Sequence, residues 1–209
     1  LGPREPLFAE LAADLYEQWG KNERWGQTAR HLADLFRRRN LLERAALWLE
    51  RLIERNPEDE ALRADLIGLL LRAERPEEAA RQYLALAQRH LERKAPDDAK
   101  GAFRAALELD PANIAAMRAL IRLGIQEGNH EDALKHIVDL ATLFEHREEY
   151  GEAIATLRLA FEFDREAVPV RQKIIELLRA QESVEQAAEE IDRLRSIFEG
   201  REDWDRAIE

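Results

Sequence analysis

Apolar residues recur along this chain at i, i+3, i+4 and i+7, the period of a helix with one buried face; the strict alternation of a half-buried strand is missing. Over residues 97–150 the stripes read Ala99-Phe103-Ala106, Met117-Leu120-Ile121 and Ala133-Ile137-Leu140-Ala141-Phe144. Break signals separate them. Asn56-Pro57 and Asp110-Pro111 read as an N-cap side chain followed by proline at the first helical position. Pro76 and Pro96 mark two further starts, Gly128 ends a helix where Asn129 opens the next, and Ser183 with Gln186 forms a capping-box pattern. The pattern predicts about twelve helices, at 6–19, 22–39, 42–55, 59–73, 76–93, 96–109, 112–127, 130–146, 149–163, 166–181, 184–199 and from 202 onward.

The same pattern repeats. Three blocks of equal length, 43–96, 97–150 and 151–204, align without a gap, each holding three helices. Residues 1–42 align with the last part of a block, and 205–209 begin another. Ala45, Ala79, Ala99, Ala133, Ala153, Ala187 and Ala207 recur at spacings of 34, 20, 34, 20, 34 and 20. A small side chain near a helix start lets the neighbouring helix approach, and a large one there overpacks the crossing. Trp25 stands at the corresponding place in the first segment, which predicts a wider crossing.

The 34-residue spacing and these residue types resemble the tetratricopeptide repeat. The likeness is clearest at 80–113, through Tyr83, Leu86, Ala87, His90, Ala99, Phe103, Ala106, Asp110 and Pro111. It returns at 134–167 through Leu140, Ala141, Phe144, Tyr150, Ala153, Leu157 and Ala160. The resemblance implies an all-α fold, an α-solenoid of stacked antiparallel helices running as a single body through residues 1–209, and a role in binding proteins. Ordinary tandem repeats would place the key alanine at one constant interval, whereas here every second interval is shortened. A three-helix unit has odd parity, so successive units reverse direction along the stack. Asp164-Arg165 replaces the terminal proline, and no polar capping helix closes the array, so the chain reads as a piece of a longer one.

Composition narrows the chemistry. The net charge is −11, falling from +1 over residues 1–42 to −6 over 151–209, which argues against coating a phosphate backbone. Cysteine is absent, so disulfides and thiolate metal sites are excluded. No apolar run has the length of a membrane span. Arginine outnumbers lysine 27 to 5, a bias of GC-rich bacterial coding, and the cytoplasm is the default compartment. His31, His90, His130, His136 and His146 lack metal-ligand spacing. The acidic pairs, such as Glu77-Glu78 and Asp97-Asp98, sit in first helical turns, where negative charge suits the helix dipole. No catalytic, cofactor or metal residues emerge, so the expectation is a non-catalytic chain without a cofactor.

The candidate binding residues come from two places. By the resemblance, Arg118, Arg122 and Gln126 line a concave groove, with Ala64 and Gly68 leaving room beside it on the preceding unit. Trp19 and Trp48 stand where other blocks carry Ala73, Glu127 and Gln181, or Ala102 and Thr156, which marks them as exposed anchors or end contacts. The surface that would correspond to the clamp for C-terminal carboxylates in some tetratricopeptide co-chaperones, Ala64, Gly68, Arg118, Arg122, Gln172 and Glu176, holds no asparagine and its third unit is acidic, which argues against such a clamp. The expected function is a scaffold holding a protein or peptide, with neither nucleic acid nor membrane as partner and self-association through open ends; the alternative is a regulatory arm of a larger multidomain protein.

Overall fold

The computed structural model describes residues 5–200, of which eleven segments are α-helical. They are α1 (Glu5–Gln18), α2 (Asn22–Arg38), α3 (Leu42–Arg55), α4 (Glu60–Arg72), α5 (Pro76–Glu92), α6 (Pro96–Leu109), α7 (Ile114–Glu127), α8 (His130–His146), α9 (Tyr150–Arg158), α10 (Val168–Ala180) and α11 (Val184–Gly200). The helix expected from 202 onward, with Ala207, lies outside the described residues. Residues up to Pro111 form one compact unit and those from Ala112 a second. Within each unit every helix packs chiefly on its neighbours in the chain, as an α-solenoid does.

Six of the recurring alanines, Ala45, Ala79, Ala99, Ala133, Ala153 and Ala187, are buried, at the helix starts where the alternating spacing puts them. The approach at the α7–α8 crossing is close. A Cβ added to Gly124 would lie 3.0 Å from the Cβ of Ala133, so the last turn of α7 rests almost directly on the first turn of α8.

The turns follow the same rhythm. Gly20, Asn40, Glu74, Lys94, Gly128, Glu148 and Glu182 all have left-handed φ, and short and long steps alternate between them as they do between the alanines. At each, the next residue's N–H donates to the carbonyl five positions earlier, from Lys21 to Tyr16, Leu41 to Phe36, Arg75 to Leu70, Ala95 to His90, Asn129 to Gly124, Glu149 to Phe144 and Ser183 to Leu178. This is the Schellman closure of a helix end, a place that favours glycine because an L side chain is strained there. Four of the seven carry Glu or Lys. Replacing Glu148 by glycine is therefore expected to raise stability by about 0.5–1 kcal/mol, the relief of the left-handed strain less the added chain entropy. Chemical denaturation of Glu148→Gly checks this, with no gain as the contrary result.

The remaining connections are longer and use proline differently from the sequence expectation. Asn56 and Asp110 end the helices before them, and Pro57 and Pro111 lie in the turn. The N-caps are Asp59 and Asn113, whose side chains accept from the N–H groups of Leu62 and Ala116 at 3.1 and 3.0 Å. Extra turn positions are needed before the chain can re-enter a helix, and the dipeptide alone does not reveal them. Asn129 caps α8 as expected, accepting from the Asp132 N–H. The helix expected at 149–163 is α9 followed by a 3₁₀ turn, Leu159–Glu162, and Asp164 then accepts from the Glu166 N–H.

Trp25 is buried in the first unit, with the Arg55 and Arg51 guanidinium groups 3.7 and 5.7 Å from its ring centroid. Arg51 also covers Trp48 at 4.5 Å. Both arginines are held by Glu17 of α1, so a ladder of charge caps an aromatic layer. On the next turn of the same unit, Arg89 and Arg93 converge on Glu58 and hold its carboxyl below the usual range by hydrogen bonding, Arg93 first.

Candidate interaction groove on α7 to α9

Arg118 and Arg122 lie one turn apart on α7, on the exposed side opposite Met117, Leu120 and Leu123, which are buried. Apolar burial thus fixes the rotation of α7 and presents the arginines outward. One long repeat step on from Arg118, Glu152 of α9 accepts a 2.9 Å hydrogen bond from its guanidinium. This ion pair joins helices two apart in the chain, with Leu140 of α8 beneath.

The result is a hollow of about 440 Å³. Its floor is apolar, made by Ile121, Ile125, Leu140, Ala155 and Leu159. Arg118, Arg122, Gln126, Glu152 and Glu162 supply its polar edge, and Thr156 closes one side. The Thr156 hydroxyl donates to the Glu152 carbonyl on its own helix and so is already satisfied. Arg118 lies 5.8 Å from the Phe144 ring and is committed to Glu152. Arg122 makes no ion pair or side-chain hydrogen bond with any described residue. An apolar floor beside an uncommitted guanidinium suits an aliphatic or aromatic side chain next to a carboxylate.

The expected binding residues thus fall apart into groups. Arg118, Arg122 and Gln126 come together around the hollow. Ala64 and Gly68 are exposed on α4, in the first unit. Trp19 is 64% exposed just beyond α1, continuing an exposed apolar stripe of Leu7, Phe8, Leu11 and Leu15. Trp48 corrects the expectation of an exposed anchor, since only 4% of it is accessible. Its block equivalents Ala102 and Thr156 are buried too, so the position faces inward in every block whatever its polarity. The acid that pairs with Arg118 is Glu152, which the 34-residue spacing brings to that edge on α9. Ile125, Leu159 and Glu162 escaped the sequence reading; the i+4 step from Ile121 and the 34-residue step from Arg118 are the signals that find most of this wall.

Among the described residues no group of three or more His, Asp or Glu side chains could hold a metal ion, and no helix is long and apolar enough to cross a membrane.

These features define an all-α helical-repeat protein whose units are set by alternating long and short steps. Residues 90–141 match the tetratricopeptide repeat family, and the fold is of that type. No curated protein matches the sequence. Similar solved structures include MamA, at 11% identity over 86% of this chain and 94% of that chain with a TM-score of 0.32. MamA 41-end from Desulfovibrio magneticus RS-1 has 15% identity over 84% and 96%, with a TM-score of 0.30. YrrB, described as a TPR protein with an unusual peptide-binding site, has 15% identity over 87% and 90%, with a TM-score of 0.28.

Proposed function

We propose that this chain is a non-catalytic scaffold that binds a protein or peptide partner, and that the hollow on α7 to α9 receives it. The observation that carries the reading is Arg122, a guanidinium with no ion-pair partner among the described residues, beside a floor of Ile121, Ile125 and Leu159. A peptide with Asp or Glu beside Leu, Ile or Phe would satisfy both. The carboxylate would pair with Arg122, and the apolar side chain would displace water from the floor. Glu152 and Glu162 on the opposite edge would repel a second acid there and so set the peptide's direction. The family match at residues 90–141 supports the same general role, since such repeats serve mainly in protein interaction.

The test is selection from a displayed library of random peptides on the wild-type chain. Enrichment of an acid next to an apolar residue is expected. Arg122→Ala should then weaken the selected peptide by about 1.5–3 kcal/mol, the worth of a charge-assisted bond from that guanidinium. Unchanged affinity with intact circular dichroism would move the site elsewhere, first to the exposed Trp19 surface.

A further inference from the structure

The third block departs from the others at one cluster. Arg171 of α10 and Glu190 of α11 form a buried ion pair, Glu190 being 2% exposed. Around them stand three more guanidinium groups. Arg193 donates to the Glu190 carboxylate at 2.6 Å, and Arg158, at the end of α9, lies 3.7 Å from it. Arg165, in the loop before α10, lines the same hollow of about 540 Å³ together with Phe161. Glu189 lies 3.7 Å from Arg193 on the exposed side. Four guanidinium groups and two carboxylates leave a local excess of two positive charges, in the most acidic stretch of the sequence.

The repeat does not require this excess. The positions of Arg158, Arg165 and Arg193 hold Glu50, Pro57 and Ala85 in the first block, and Arg104, Pro111 and Asp139 in the second. Both of those blocks fold into the same three helices. Nor does one carboxylate saturate the donors. It has about four lone-pair sites, already shared by Arg171 and Arg193, with Arg158 alongside. The Arg165 side chain has no partner among the described residues. Arg171 is itself only 7% exposed; it donates through one terminal nitrogen to Glu190 and through the other to the Arg165 carbonyl, and its Nε is buried with no partner.

We propose that this hollow binds a phosphoryl group, held by Arg158, Arg165 and Arg193 above the Arg171–Glu190 pair. A phosphate monoester brings roughly −1.5 to −2 charge at neutral pH and three acceptor oxygens, which matches the local excess and the planar forks that face it. Phe161, 4.5 Å from the Arg171 guanidinium, backs that cation and holds its plane. The site is separate from the α7 to α9 hollow and does not rest on it.

Nuclear magnetic resonance of the arginine Nε–H groups in the full chain tests this, titrating inorganic phosphate, a short phosphoserine peptide and the same peptide unphosphorylated, against chloride at matched ionic strength. Saturable shifts at Arg158, Arg165 and Arg193 with phosphate or the phosphopeptide are expected, and Arg158→Gln with Arg165→Gln should weaken binding at least tenfold. Because both side chains are exposed, the variant should keep its melting temperature. Binding of the phosphopeptide at least tenfold tighter than inorganic phosphate would identify a modified partner side chain as the source, and equal binding would identify the free anion. Shifts no larger than those with chloride, or unaltered in the double variant, would overturn the proposal.

Discussion

Ala133→Trp is expected to unfold the second unit at temperatures where the parent chain is intact. Ala133 has no accessible surface, and its Cβ sits where the Cβ of an alanine at position 124 would collide with it. Nothing larger fits without separating α7 from α8. Adding a few methylenes to a packed crossing costs about 1–3 kcal/mol, and an indole adds far more volume. The loss should reach or exceed the top of that range, against a total stability of about 5–15 kcal/mol for a whole domain. For a unit of this size, each kcal/mol shifts the midpoint by about 4–8 °C, so a fall of more than about 10 °C in a thermal melt is expected. Ala180→Trp, at an exposed position on α10, should leave the melt unchanged. Equal melting of Ala133→Trp and the parent would mean that the alternating register is wrong.

The second large effect concerns Glu190. Removing one partner of a buried ion pair leaves the other desolvated and unpaired, at a cost of about 3–5 kcal/mol. Glu190→Ala should therefore destabilise the second unit strongly, since it strands Arg171. The first block already contains the stranded form. Arg63 occupies the position of Arg171, and Gln82 that of Glu190. The Arg63 guanidinium is buried, hydrogen-bonds among the described residues only to the Gln82 side-chain oxygen at 2.7 Å, and is pushed down from its usual pKa by burial and then by Arg89. Gln82→Glu is accordingly expected to stabilise the first unit, by about 1 kcal/mol after the cost of desolvating the new carboxylate. Urea denaturation at neutral pH checks both variants. A neutral Glu190→Ala, or a destabilising Gln82→Glu, would contradict this reading of the two positions.

The helical architecture was legible because the signals for it are local and repeated. Apolar spacing and recurring alanines located each described helix to within a few positions. What escaped were features decided by the third dimension. The left-handed turns were invisible because Asn40, Glu74, Lys94, Glu148 and Glu182 stand where glycine would have announced them. Trp48 was misjudged because its equivalents Ala102 and Thr156 are small or polar, yet burial at that position is set by how α3, α6 and α9 are rotated, and the extra bulk of Trp48 is covered by Arg51. Arg118, Arg122 and Gln126 could be placed on one helix face from periodicity alone. That Arg118 is neutralised by Glu152 while Arg122 is not depends on where α9 lies, which no single helix encodes.

The proposal that the α7 to α9 hollow receives the partner is tested most directly by isoleucine-methyl nuclear magnetic resonance of the full chain during titration with a peptide from the selection described above. The methyl groups of Ile121 and Ile125 line the floor, whereas Ile53 and Ile67 are buried in the first unit. Ile121 and Ile125 should shift in step with peptide occupancy while Ile53 and Ile67 stay in place. Shifts at Ile53 and Ile67 with Ile121 and Ile125 unmoved would contradict the account.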